Sequence, residues 1–439
     1  MSKLMAVQLD VGRIIDERPM SGLQLRVAIL CALSVALDGY GLQVMALAVP
    51  SLAQEWGIAP SSFGLALAAA VIGLSLGGAF FAPLGDRFGR RTVVIGGMLL
   101  IGLASLLTAT AGSPGQFVVW RLLTGIGLGI CVPNCNAWTA EYAPVRRRSL
   151  VVVMVNAAIG VGAFSAGFIA PPMIAAWGWR GPFLLGGVLA VIVALLLYFT
   201  APESLKFMVV RRPDDRRIAA ILRRIAPDVD AAYVHVATSA VTLRRSVFEL
   251  LGPGFRARTL VLWLIFALNL FTLYLLVSWL PTLLHMAGWP STDALQAAVL
   301  IQAGGVVGGI VLSQFLDRGL ALPALRTCFL LAAVCLGLFL VVPSGPGWIA
   351  LLFLIGIGIS GSQLSLNALA TAYYPSAIKA TGMGWAGVMG GWGAMLGPMA
   401  GAWLVGLGLP AVTILTLLAV PALLSTAGVW LMRHEWQAH

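Results

Sequence analysis

The chain has 439 residues, of which 60% are hydrophobic and 10% charged, against about 25% charged in soluble domains. Its mean hydropathy is +0.96, and apolar runs of about 20 residues, the length a helix needs to cross a bilayer, recur from end to end. An ordinary soluble globular protein is excluded. The net charge of +11 could reflect nucleic acid, acidic lipid or membrane topology, and the positions of the charges decide among them.

The first 25 residues carry Lys3, Arg13 and Arg18 among Asp10, Asp16 and Glu17. They lack the short apolar core and small-residue cleavage site of a signal peptide, so the first apolar run is expected to stay as an anchor. Twelve candidate spans follow, at about 24–49, 63–84, 93–112, 117–139, 150–175, 182–200, 259–281, 295–316, 325–342, 348–372, 382–404 and 412–432. Sorted by the loops these spans define, twenty-five of the 27 lysines and arginines fall on one side. Only Arg180 lies on the other, and only Arg121 inside a span. By the positive-inside rule both termini are cytoplasmic, as an even number of spans also requires. The five cysteines, Cys31, Cys131, Cys135, Cys328 and Cys335, all fall in apolar segments and read as small packing residues. No metal spacing, phosphate loop or nucleophile motif is present, so neither an enzyme nor a cofactor is expected.

One long polar stretch interrupts the spans, 201–258. Within it, Asp214 to Pro227 places Ile218, Ile221, Leu222 and Ile225 at helical spacing, with Arg216, Arg217, Arg223 and Arg224 elsewhere. That pattern reads as an amphipathic cytoplasmic helix, and its charges as a solvated, lipid-facing or half-linking surface rather than a nucleic-acid site. The expected organisation is a first half at 1–200, a linker at 201–258 and a second half at 259–439.

A shift of 231 positions aligns the chain with itself without gaps. It pairs Pro50 with Pro281, Gly73 with Gly304, Gly77 with Gly308, Asp86-Arg87 with Asp317-Arg318, Gly125 with Gly356, Asn136 with Asn367, Tyr142 with Tyr373, Pro144 with Pro375 and Gly162 with Gly393. An acidic-basic pair, an Asn and prolines in one register mark an internal repeat. Two parallel six-helix halves, with a site near the bilayer midplane between them, are the architecture this implies.

The loop Gly85-Asp-Arg-Phe-Gly-Arg-Arg91 and the run Arg121-Leu-Leu-Thr-Gly-Ile-Gly-Leu-Gly129 resemble the signatures of the major facilitator superfamily. Asp16-Glu-Arg-Pro19, Leu37-Asp-Gly-Tyr40, Pro202-Glu-Ser-Leu205 and Tyr374 to Trp385 are similar to the aromatic acid:proton symporters within it. The resemblance implies an all-α membrane protein of twelve transmembrane helices in two six-helix halves, the major facilitator fold. It also implies a secondary transporter of the inner membrane that takes up a small organic anion with protons.

Two residues are singled out for chemistry. Asp38 lies twelve residues after Arg26, about 18 Å along a helix and past the middle of a hydrocarbon core about 30 Å thick. A carboxylate there must face a cavity or a partner, and it suits the loading and release of a proton. Its repeat equivalent is Asn269, which keeps the shape and loses the titration. Arg121 in segment 4 can clamp a carboxylate or serve as counter-ion to Asp38, although counting residues sets the two backbones about 12 Å apart in height. In similar symporters an Asp in segment 1 and an Arg in segment 4 act together. Tyr40, Trp138, Tyr274, Trp385 and Trp392 offer faces to an aromatic ring, and Asn134 and Asn269 offer hydrogen bonds. Asp86, Arg87, Arg90 and Arg91, with Glu141 and Arg147 at neighbouring span ends, can form a charge network, which in the superfamily latches one state of the transport cycle.

Two departures from the aromatic-acid pattern stand out. A second Asp three residues after the first in segment 1 is replaced by Gly41, and an Arg in segment 11 by Gly391. They leave open a facilitator or exporter of a neutral or zwitterionic aromatic. A transporter-like sensor would need a larger cytoplasmic domain than 201–258 provides. The expected partners are a small organic anion, protons and the lipid bilayer, with no nucleic acid, and the expected state is a monomer.

Overall fold

The computed structural model describes residues 9–211, 217–226, 234–235, 250–252, 255–374 and 379–432. Among them, eleven helices are long and apolar enough to cross a membrane. In chain order they are Gly22–Trp56, Pro60–Phe81, Arg90–Ala109, Pro114–Tyr142, Val145–Trp177, Arg180–Thr200, Arg256–Met286, Ala321–Leu338, Pro346–Asn367, Gly382–Gly406 and Ala411–Leu431. The shorter apolar helix Leu300–Leu316 takes the eighth place, so segments 1 to 12 correspond to the twelve expected spans. The described residues add one two-residue parallel pairing, Leu9–Asp10 with Val234–His235.

Local chemistry sets the ends of these helices. Segment 1 opens on a capping box: the Gln24 backbone N–H donates to Ser21 Oγ, and the Ser21 N–H to Gln24 Oε1 at 2.6 Å. It closes at Gly57, whose φ of 64° is the left-handed cap that glycine adopts without strain. The run was expected to stop before Pro50, but the helix passes through it to Trp56. A proline removes one N–H and crowds one turn, and packed neighbours absorb that within a membrane.

The repeat in the sequence reappears as repeated contacts. A methyl group on Gly162 of segment 5 would lie 1.8 Å from the Ala36 carbonyl oxygen; on Gly393 of segment 11, 2.0 Å from that of Ala267. Gly73 faces the Leu122 carbonyl as Gly304 faces that of Phe353, and Gly125 meets Ala70 as Gly356 meets Ile301. Each second pair is the first displaced by 231 positions. The helices therefore touch backbone to backbone, where close packing and not side-chain burial supplies the attraction.

Between the halves, segment 2 lies against segment 11, segment 5 against segment 8 and segment 1 against segment 7. Gly64 meets Ala402, Gly406 approaches Ser61 and Gly167 meets Val299. All six residues sit toward the membrane face opposite the Asp86 loop. On the face carrying that loop, the ion pairs Asp86–Arg90–Glu141 and Asp16–Arg148 stay inside the first half.

Of the polar stretch, the described part holds two short helices, Leu205–Arg211 and Arg217–Ile225. The expected apolar stripe is present and inserted: Ile218, Ile221, Leu222 and Ile225 are buried in the core of the first half beside Leu23 and Val27. Asp214, Arg216 and Pro227 lie outside the described residues. Around the outside, Phe80, Leu103, Met154, Phe199, Ile310 and Trp403 are all more than half exposed, an apolar belt suited to lipid.

Candidate substrate and proton site

Segment 1 and segment 4 bring Asp38 and Arg121 together. The crude height difference is overcome by the length of the arginine side chain: its Nη2 donates to the backbone carbonyl of Gly41, one turn beyond Asp38, at 3.1 Å. Its guanidinium also lies over the Phe183 ring of segment 6, 5.8 Å from the centroid. Arg121 is 1% exposed and Asp38 4%. The two charges act on each other through space without a direct ion pair. Both have unfilled valences, Asp38 at Oδ1 and Arg121 at Nε. A buried cation and carboxylate left in this condition are costly, so groups that enter and leave the site would complete them. Segment 1 packs against segment 7, which sets the helix carrying Asp38 at the seam between the halves.

The other expected ligand-facing residues divide. Tyr40 is buried and spends its hydroxyl on the Pro182 carbonyl at 2.9 Å, packing beside Gly186. It braces segment 1 against segment 6 next to Arg121. Asn269 donates to Gln363 Oε1 at 2.7 Å and keeps a buried, unpartnered Oδ1, so the position equivalent to Asp38 is also polar and incomplete. Asn134 departs from its expected role. Its amide donates to the carbonyls of Ala82 and Ile130 and lies directly beneath Gly85, where it anchors the Asp86 loop. Trp138 is fully buried in the core of the first half. Segment 11 packs on segment 7 through Gly390, Gly393 and Gly397 and on segment 2 through Pro398 and Ala402. Trp385 stacks on Trp263 of segment 7, and Trp392 is 56% exposed. Helical spacing put the two indoles on one face but could not say which way it turned.

The Asp86 loop is tied into the first half. Arg90 pairs with Asp86 and with Glu141 at 3.3 Å, and Glu141 accepts from the Ser204 hydroxyl. The backbone N–H of Arg91 donates to Glu203 Oε1 at 3.0 Å, and Tyr142 donates to the Glu203 carbonyl. Arg87 lies over the Phe88 ring, whereas Arg147 is exposed and joins no ion pair among the described residues. Sequence reasoning noted Pro202-Glu-Ser-Leu205 only as part of a resemblance and missed its task as a clasp. Its signal was an acidic residue just after a long apolar span. Glu203→Ala would leave the Arg91 and Ser204 N–H groups without their acceptor. It is expected to lower stability by about 1–2 kcal/mol, read as a fall in the thermal midpoint of the purified protein. Gln43 was missed as well: it is 1% exposed with neither amide atom partnered.

The family model of the Major Facilitator Superfamily matches residues 31–398. The chain belongs to this superfamily. It is therefore a transporter-family protein and not an enzyme. Among characterised relatives, it is 38% identical to the 4-hydroxybenzoate transporter PcaK of Pseudomonas putida, over 96% of this chain and 95% of that protein. It is 34% identical to a gallate transporter of the same species, over 94% and 93%. The inward-open xylose transporter XylE of E. coli superimposes with a TM-score of 0.71 at 19% identity, covering 93% of this chain and 96% of that one. That likeness establishes the twelve-helix superfamily fold.

Proposed function

We propose that this protein is a proton-coupled symporter that imports a small aromatic carboxylate across the inner membrane by alternating access. The observation that carries the reading is the buried, incompletely satisfied pair Asp38 and Arg121 at the seam of the halves. Relatives named for 4-hydroxybenzoate and gallate support an aromatic acid as the ligand. Asp38 is the proton site and Arg121 its counter-ion and the clamp for the carboxylate, with Asn269, Tyr274 and Tyr40 completing the surroundings. The first half comprises 1–200, the linker 201–258 and the second half 259–439. The charge bias puts both termini and the Asp86 loop in the cytoplasm, so contact between the halves at the far face corresponds to an inward-facing state. The Asp86, Arg90 and Glu141 network is free in this state to engage the second half when the carrier turns outward. The working unit is a monomer.

One proton with one monoanion is electroneutral, so uptake follows the pH gradient and not the voltage. In proteoliposomes, uptake of 4-hydroxybenzoate should rise with an inward proton gradient and be indifferent to membrane potential. Equal uptake with and without the gradient would overturn the coupling. Arg121→Lys, which keeps the charge but loses the planar fork, is expected to weaken uptake by about tenfold or more, the consequence of losing one charge-assisted hydrogen bond of about 1.5–3 kcal/mol. Gly41 and Gly391 favour a second reading, a facilitator of neutral aromatics. It predicts that benzyl alcohol stabilises the protein thermally as well as benzoate does.

A further inference from the structure

Two arginine side chains at the outer edge of the molecule enter neither the ion pairs of the Asp86 loop nor the central site. In the second half, Arg326, near the start of segment 9, lies over the indole of Trp430 at the end of segment 12, 5.7 Å from the ring centroid. In the first half, Arg91, at the start of segment 3, lies over the Tyr198 ring at the end of segment 6, 5.5 Å from its centroid, and donates through Nη2 to the Tyr198 carbonyl. Segment 3 packs on segment 6 as segment 9 packs on segment 12, so both arrangements occupy the corresponding groove of their half, on the face of the Asp86 loop.

They are not copies of one another. A shift of 231 positions takes Arg91 to Leu322 and brings Arg326 back to Ile95, one helical turn away, whereas Phe199, beside Tyr198, maps onto Trp430. The second half lacks the arginine of the first and carries another one turn further along, again on an aromatic ring. One arrangement reached from non-equivalent positions points to a task at that place in the fold, not to inheritance from the repeat.

What each arginine leaves free defines the ligand. Neither guanidinium forms an ion pair among the described residues, and both Nε atoms are buried, closed to any ligand. The donors that remain are terminal: both Nη groups of Arg326 and Nη1 of Arg91 reach the surface and make no hydrogen bond among the described residues. The ring beneath holds the guanidinium plane, and the free edge is a fork that matches two oxygens of a phosphate. The walls below are aliphatic. Leu330 and Val334 of segment 9, one and two turns beyond Arg326, and Leu423 of segment 12, two turns before Trp430, are all exposed; Leu99 and Leu195 line the first-half groove in the same way. A cation at the rim of an apolar groove between transmembrane helices is the setting in which an anionic headgroup binds.

We infer that these two grooves are binding sites for the phosphate headgroup of an anionic phospholipid, one in each half, in the leaflet on the side of the Asp86 loop. Arg326 and Arg91 donate to the phosphodiester oxygens, and the acyl chains run along the aliphatic walls. A zwitterionic lipid is disfavoured because its own cation comes to lie beside the arginine. The inference is independent of which solute is carried and of its coupling to protons.

Native mass spectrometry of the full-length protein, delipidated in detergent and titrated with phosphatidylglycerol or phosphatidylcholine of identical acyl chains, tests this directly. Wild type should retain two molecules of phosphatidylglycerol, bound at least about tenfold more tightly than phosphatidylcholine, the order expected of one charge-assisted hydrogen bond. Arg326→Gln should leave one tight site, Arg91→Gln the other, and the double variant none. Trp430 is 71% exposed, so Trp430→Leu should fold, and it should weaken one site several-fold; this keeps the inference testable if an arginine variant misfolds. Equal retention of the two lipids, or an unchanged count in Arg326→Gln, would overturn it. Displacement of phosphatidylglycerol by millimolar inorganic phosphate would also overturn it, by making the grooves sites for free phosphate and not for lipid.

Discussion

Asp38→Asn is expected to abolish accumulation driven by a pH gradient, lowering its initial rate by about 100-fold, near the upper range of coupling free energies between two sites. Exchange of labelled for unlabelled solute should persist. The asymmetry follows from what the amide keeps. Asn269 occupies the equivalent position of the second half, buried to 1% and bonded to Gln363, so an amide is tolerated in this setting and holds the helix packing. What it lacks is a proton to gain and lose. The measurement is paired: uptake and counterflow in the same proteoliposomes, each with and without the gradient. A variant that still accumulated solute on the gradient would assign the proton site elsewhere, and one that lost exchange as well would show that Asp38 holds the fold or the solute.

The second large effect concerns packing. Gly162→Val should cost more than about 3 kcal/mol, beyond the usual range for overpacking, and yield little monodisperse protein. The reason is what its Cβ would meet: the Ala36 carbonyl oxygen at 1.8 Å, with the rest of the Ala36 backbone behind it. A side chain can change rotamer, but a helix backbone yields only if the whole of segment 1 or segment 5 moves. Gly39 faces the Ile159 carbonyl across the same interface at the same 1.8 Å, so separation at one contact opens the other. Gly96→Ala provides the contrast. Position 96 is exposed with nothing within 4 Å, and alanine there should be neutral or stabilise by about 0.5–1 kcal/mol through helix propensity. Size-exclusion profiles and thermal midpoints of the two variants distinguish a packing cost from a general intolerance of glycine replacement.

The architecture was legible because its causes are local and repeated. Apolar length fixes where a helix can cross, and the constant offset of 231 forecasts that a contact of one half, such as Gly162 with Ala36, recurs in the other, as Gly393 with Ala267 does. The site was legible only in part. An ionisable residue inside an apolar span announces itself, as Asp38 and Arg121 did. Depth along a helix, however, says nothing of rotation about its axis or of side-chain reach. Hence Trp385 is stacked on Trp263, and Asn134 is absorbed by the Ala82 carbonyl. Arg121 spans the height that residue counting set against it, by bonding to Gly41 and not to Asp38. A glycine's carbonyl as an arginine's acceptor has no signature in a sequence, because every residue has one.

The π-helical turns carry a consequence of their own. One occupies Gly77–Phe81 in segment 2, and the other Ile357–Gly361 in segment 10. Gly77 packs on Ile126 and Gly308 on Ile357, the same contact in the two halves, yet the wide turn sits on the first partner in one and on the second partner in the other. A π turn holds one extra residue and puts the helix beyond it out of step by about 1.5 Å and 100°. Exchanging the roles of the halves is then no symmetry operation of this molecule. The two halves are therefore not mechanically equivalent: the first half has a wide turn in segment 2 next to the Asp86 loop, where segment 8 of the second half runs as unbroken α-helix.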